Sequence, residues 1–158
     1  MMNITVRPAG AQDVAVICEY NRLLAKETEN KDLDLNVLRP GVEAMLNDPH
    51  KGRYFVAVSD AEVVGQLGVT GEWSDWRNGD FWWVQSVYVV LAWRRRGVFR
   101  RLFEHLLQVA RAEPNVIGVR LYVEHDNRAA QETYRQLGLK VTDYHLMEKY
   151  PLETSGEK

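Results

Sequence analysis

Arg94, Arg95, Arg96, Arg100 and Arg101 crowd one short stretch of this 158-residue chain, with Gly97 among them. Ahead of them runs the apolar segment Val87-Tyr88-Val89-Val90-Leu91-Ala92-Trp93. Behind them, Arg100 to Ala112 carries Leu102, Leu106, Val109 and Ala110 on one helical face. A buried strand therefore runs out into a basic loop, and a long helix follows. No Ser, Thr, Asp or Asn stands at the helix start to satisfy its first N–H groups. Open amides beside positive side chains make an anion site, and a diphosphate suits it. Three other readings compete: a solvated charged face, a nucleic-acid patch, and a plain tight turn at Gly97. The near-neutral chain, with net charge −2, and the lack of a matching basic stripe count against nucleic acid. No Gly-Lys-Ser/Thr follows, and the three glycines of a dinucleotide fingerprint are missing. From the loop alone, phosphate binding and the other readings stand level.

A second constellation shifts that balance. Asn127, Ala130 and Tyr134 are spaced i, i+3, i+7 and so share one face of a helix. Taken alone they read as a cap, a small packing residue and a core tyrosine. One strand downstream of a phosphate-type loop, the same face offers an amide and a phenol to a ligand.

The elements that must position these residues follow from periodicity and turn signals. Ile4 to Arg7 alternates as a short strand, and Val14, Ile17, Asn21 and Leu24 line a first helix. The charged stretch Lys26 to Asp34 reads as a loop, and a shorter helix around Val42, Met45 and Leu46 stops before Pro49. Tyr54–Val58 and Val63–Val69 form a hairpin, and Asn78-Gly79 turns the chain into the strand Phe81 to Val90. Val119–Val123 is a further strand, Arg128–Leu137 a helix closed by Gly138, and Leu139 to Lys149 one or two last strands. This order predicts a mixed sheet covered by helices on both faces. Length predicts one domain over residues 1–150 with a polar tail at 151–158. Cys18 is the only cysteine, which excludes an internal disulfide and a thiolate-rich metal site. The start shows no signal-peptide pattern, and the longest apolar run is far short of the roughly 18 residues of a membrane span. The expectation is a cytoplasmic protein with no membrane or nucleic-acid partner and no metal.

On the two motifs together, the sequence resembles the GNAT superfamily of acyl-CoA-dependent N-acyltransferases. Their diphosphate loop follows Arg/Gln-x-x-Gly-x-Gly/Ala, which Arg94-Arg95-Arg96-Gly97-Val98-Phe99 matches except at its last position. Their next helix carries Asn-x-x-Ala-x-x-x-Tyr before Leu-Gly, as do Asn127 to Tyr134 with Leu137-Gly138. Phe99 replaces the usual small residue but keeps its backbone N–H. The resemblance implies an α/β fold with a mixed, mostly antiparallel central sheet, acetyl-CoA as cosubstrate, a primary amine as acceptor, and a homodimer. It implies that backbone at Val87, Tyr88 and Val89 pairs with the pantetheine arm and that the loop Arg94 to Arg100 holds the diphosphate. It further implies that Asn127 bonds the arm, with Ala130 beside it, and that Tyr134 protonates the leaving thiolate.

Several members of that family, including the diamine acetyltransferases, carry a glutamate where this chain has Gln85, whose amide accepts no proton at neutral pH and at most positions a water. Glu72, Glu124 and His125 are the candidates to receive the proton through that water. Trp73, Trp76, Trp82 and Trp83 cluster around the Asn78-Gly79 turn, and at least half of them read as core or interface. The rest would line an acceptor pocket, where Glu27, Glu29, Asp32, Asp34, Glu72 and Asp75 would attract a cationic amine. A polyamine-like or amino-acid-like acceptor is expected. A protein or peptide acceptor, and a non-catalytic acyl-CoA sensor, are the other readings.

Overall fold

A computed structural model describes residues 3–153. The chain divides into two compact units, Met1–Tyr122 and Val123–Lys158. The first holds a five-stranded sheet in the order β1-β2-β3-β4-β5, with β1 Thr5–Pro8, β2 Arg53–Ser59, β3 Glu62–Ser74, β4 Gly79–Val89 and β5 Val116–Leu121. All neighbours are antiparallel except β4 and β5, which run parallel. That exception follows from connectivity: β4 and β5 are joined through helix α3 (Val98–Ala112), whereas hairpins join β2 to β3 and β3 to β4.

The two faces are covered as alternation dictates. Phe55, Leu67, Val69, Trp82 and Val84 are buried on one face, where α3 brings Val98, Leu102, Phe103 and Leu106. On the other, Tyr54 joins Val14, Ile17 and Cys18 of α1 (Val14–Glu29) and Val42 of α2 (Leu35–Asn47) in one buried cluster. Gly65 sets how closely α3 approaches: a Cβ there would stand 2.9 Å from Val98 Cγ1 and 3.2 Å from Tyr88 O.

Two helices are longer than the sequence predicts. α1 runs to Glu29, so the loop expected from Lys26 begins only at Asn30, whose left-handed φ of 50° ends the helix. α2 starts at Leu35, where the Asp34 side chain accepts from Asn36 N, and carries Pro40 inside it. The Asp34 cap offsets part of the cost of Pro40, and burial of Val42 in the core cluster contributes the rest.

In the second unit α4 (Arg128–Gln136) is capped by Asn127 and closed by a Schellman pair, Leu139 N to Tyr134 O at 2.9 Å and Gly138 N to Arg135 O at 3.0 Å. Among the described residues, 139–153 form neither helix nor strand, which corrects the strands expected at Leu139–Lys149. Alternation fails there at the adjacent pair Leu146-Met147, and an isolated strand has no ladder to hold it. The tail expected at 151–158 lies outside the described residues from 154 onward.

Asp13 anchors the entry to α1. Its carboxylate takes Arg7 Nη1 at 2.7 Å, Arg7 Nη2 at 3.0 Å and Gly10 N at 2.8 Å. Hydrogen bonding to Arg7 holds its pKa below the ordinary carboxylate range, against the opposing effect of burial. A folded-state pKa below the unfolded one contributes stability above the unfolded value of about 3.9, lost as pH falls through the folded value. Asp13→Asn is expected to cost about 2 kcal/mol at pH 7, and the gap to wild type should narrow as pH falls below ~4. Urea unfolding at pH 7 and pH 3 checks both.

Candidate active site

β4 is a strand shared unequally by its neighbours. It pairs with β5 only from Asp80 to Val84, opposite Val116 to Leu121, but stays in register with β3 to Val89. Among the described residues, no strand lies beside Gln85 to Val89 on the β5 side. The pairing shows which backbone groups face that opening. Val90 N donates to Val64 O at 3.1 Å, and Tyr88 stands opposite Gln66 in the same register. Alternation then turns the main chain of Val87 and Val89 toward the open side. Tyr88, expected beside them, instead faces its backbone to β3. Its ring is buried 5.0 Å from that of Tyr20 on α1, and burial raises its pKa, helped by the Glu27 charge.

The departure from β5 comes with a bulge. Gln66 pairs with Tyr88 and Gly68 with Gln85, so Ser86 and Val87 share the single position opposite Leu67. Ser86 takes a left-handed φ of 51°. A fully buried amide holds it: Gln66 Nε2 donates to Ser86 O at 3.0 Å and to Asn21 Oδ1 at 2.9 Å. Asn21 Nδ2 in turn donates to Tyr54 OH at 3.1 Å. This network ties the bulge to α1 and β2. Sequence reasoning placed Asn21 on the inner face of α1 but missed the role of Gln66, whose only sequence signal is an amide inside an apolar strand.

Past β4 a 3-10 turn at Leu91–Trp93 leads into the arginine loop. Arg95 (φ 61°) and Gly97 (φ 78°) are both left-handed, and α3 starts at Val98 with no side-chain cap. The first intrahelical bond is Arg101 N to Gly97 O at 3.0 Å, so the earlier amides of the first turn, from Val98 to Arg100, have no acceptor inside the helix. The Arg95, Arg96 and Arg100 side chains are exposed beside them. Val98 is buried under the sheet and Phe99 packs on Phe103 at 5.8 Å, so this position tolerates an aromatic ring in place of a small residue. Arg94 is turned back toward β4 and α1. Its Nε donates to Val89 O at 2.9 Å and its Nη2 meets Glu27 Oε2 at 2.7 Å.

Gln85 lies on the α1–α2 face, two residues along β4 from Trp83, and its Nε2 donates to Thr70 Oγ1. Beyond it, Trp83 stacks on Tyr122 at 4.5 Å, and the Arg120 guanidinium lies 3.6 Å from the Phe81 centroid while Nη1 bonds Glu72 at 2.7 Å. Glu72 is thereby an ion-pair partner. Of the four tryptophans only Trp82 is core, with Arg53 over its ring at 4.6 Å; Trp73 and Trp76 are exposed. The acidic residues are mostly engaged: Glu27 with Arg94, Glu29 with Lys31, Asp32 with Lys26, Asp34 as the α2 cap and Asp75 on Trp76 N.

In the second unit, Asn127 Oδ1 accepts from Ala130 N at 3.1 Å. The cap uses its acceptor and leaves the Nδ2 donor for another group. Tyr134 is partly buried, and burial raises its pKa. Glu124 and His125 are exposed, and their carbonyls accept from Gln131 Nε2, both at 2.9 Å.

An open strand edge that runs into an uncapped helix N-terminus beside arginines is an arrangement suited to an extended ligand with a diphosphate. The model of the acetyltransferase (GNAT) family matches residues 18–139. The chain belongs to the GNAT family. A structure described as a possible acetyltransferase from Clostridium difficile 630 is 44% identical, with TM-score 0.88 over 95% of this chain and 99% of that one. At lower identity the likeness shows the fold alone. A transcriptional regulator from Bacillus halodurans C-125 is 19% identical, with TM-score 0.79 over 94% of this chain and 100% of that one. An aminoglycoside acetyltransferase from an uncultured soil metagenomic sample, in complex with sisomicin, is 18% identical, with TM-score 0.75 over 95% and 97% of the two chains. No curated protein matches the sequence. No helix among the described residues of this GNAT acetyltransferase is long and apolar enough to cross a membrane.

Two substitutions test the geometry. Gln66→Leu leaves Ser86 O and Asn21 Oδ1 without their donor; it is expected to cost about 2 kcal/mol by urea unfolding and to lower kcat/KM with it. Gly97→Glu sets an anionic side chain with an unfavourable φ at the helix start; coenzyme A binding by calorimetry should vanish while circular dichroism keeps the folded signal.

Proposed function

We propose that this chain moves the acetyl group of acetyl-CoA directly to a primary amine, acting as one catalytic domain over residues 1–150. The observation that carries this reading is the open β4 edge at Val87 and Val89 leading into the uncapped start of α3. Within the first unit the residues present fit the cosubstrate, with the Val87 and Val89 backbone for the pantetheine arm and the amides from Arg95 to Arg100 for the diphosphate; the family likeness assigns Asn127 Nδ2, with Ala130 beside it, to an arm carbonyl. Acetyl-CoA supplies an activated thioester.

The chain's own groups do the rest. Val89 N–H polarises the carbonyl under attack. The neutral amine forms its N–C bond as the C–S bond breaks, and its surplus proton leaves to bulk solvent through a water that Gln85 Oε1 holds. Tyr134 gives its proton to the departing thiolate, and solvent returns a proton to the Tyr134 phenolate after turnover. The raised pKa suits this role, because the acid form persists below the pKa and is lost only as pH rises through it.

The acceptor is small. The engaged acidic residues offer little free negative field for a polyamine. The aromatic floor of Trp83 and Tyr122 favours an amino-acid-like acceptor whose amine rests on the rings. The enzyme is proposed to work in the cytoplasm without nucleic-acid or membrane partners, as a homodimer to which the exposed Trp73 and Trp76 contribute.

Thiol release from acetyl-CoA against amino acids, polyamines, aminoglycosides and peptides tests the reading. Turnover with one class supports it and names the acceptor; tight acetyl-CoA binding with no acceptor turned over supports a sensor instead. Tyr134→Phe is expected to lower kcat about 100-fold with the acetyl-CoA KM little changed. The alkaline fall in wild-type rate, above the ordinary phenol value of about 10, should be absent from that variant's pH profile.

A further inference from the structure

Arg94 occupies the arginine position of the loop motif, and its side chain is turned back onto β4 and α1. Nε donates to Val89 O at 2.9 Å, Nη2 meets Glu27 Oε2 at 2.7 Å, and the guanidinium carbon lies 5.4 Å from the centre of the Tyr88 ring. Glu27 also accepts from Tyr88 OH at 3.4 Å. Tyr88 packs on Tyr20, whose OH donates to Val63 O. Each contact has a physical reason. The Val89 carbonyl is an edge acceptor with no strand beside it among the described residues, and a charged donor satisfies it more strongly than a neutral one. Glu27 lies in the last turn of α1, where the helix dipole favours a cation. Three anchors from two elements thus fix one guanidinium at the root of the loop.

Resting on the acetyltransferase reading, we infer that Glu27 and Arg94 form a positioning brace: Arg94 sets the place of the diphosphate loop and is not itself a phosphate ligand. The consequence concerns what the ligand can use. With Val89 O already bonded, that residue offers its N–H alone to the thioester end. The phosphate charge is then met by the exposed Arg95, Arg96 and Arg100 beside the α3 amides, with Arg96 over the Trp93 ring at 5.5 Å. Because Glu27 belongs to α1, the brace also ties the loop to the helix whose Asn21 accepts from the bulge-holding Gln66 amide.

Coenzyme A affinity measured by calorimetry at several salt concentrations separates the two roles. Glu27→Gln and Arg94→Gln should each weaken binding by about fivefold, the upper range for a half-exposed pair, and the double variant should be no weaker than either single one. Salt should weaken Arg94→Gln as steeply as wild type, whereas Arg100→Gln should show a shallower dependence. An equal flattening in Arg94→Gln would make Arg94 a phosphate ligand, and unchanged affinity in Glu27→Gln would remove the brace. A second readout needs no ligand: tryptic cleavage of the folded protein within residues 94–96 should speed up several-fold in Glu27→Gln, and an unchanged rate would contradict the brace. Failure of wild type to bind coenzyme A, with the brace still seen by trypsin, would count against the acetyltransferase reading alone.

Discussion

The site depends on one constraint: β4 must leave β5 while keeping its ladder with β3. A strand that stays paired on both sides has no free backbone to offer, and one unpaired on both sides has no fixed position. The bulge at Ser86 reconciles the two by adding a residue to β4 opposite Leu67. A left-handed serine is costly, on the order of 1 kcal/mol or more, and persists only where its surroundings over-determine it. The buried Gln66 amide does so, because its two donors are satisfied only when Ser86 O and Asn21 Oδ1 stand where they do. Breaking this network leaves buried polar groups without partners, so the bulge is coupled to the packing of α1.

The loop depends on the strand in turn. Once β4 ends at a fixed place, Gly65 lets Val98 settle on β3, and the start of α3 is set against the sheet rather than by a capping side chain. The first-turn amides have no acceptor inside the helix, so an anion at its start meets donors already aimed outward. Positive side chains alone would draw an anion to the region without orienting it. The amides orient, and the arginines add long-range attraction.

Much of this was legible in the sequence. The strand-loop-helix junction, the hairpins and the helix-borne triplet Asn127, Ala130 and Tyr134 follow from local periodicity and turn residues. What was not legible depends on contacts distant in sequence. The bulge needs Gln66 to meet Ser86 and Asn21, and nothing local marks that meeting. The side chain of Arg94 reads like its neighbours until Glu27, far away in the chain, is placed beside it. The acidic residues looked like an attractive field for amines, but most have partners that only the fold supplies. Tyr88 falls between two edge-facing residues, and a strand's alternation turns its main chain the other way. Leu139 to Lys149 shows the opposite failure, where a suggestive alternation forms no strand among the described residues.

Amide hydrogen exchange with and without coenzyme A tests the central claim most directly. Slowed exchange is expected at Val87 and Val89 and from Val98 to Arg100, with β1 and β2 unchanged. Slowing confined to other segments, or none at all at saturating coenzyme A, would contradict the assignment of the β4 edge and the α3 start as its binding site.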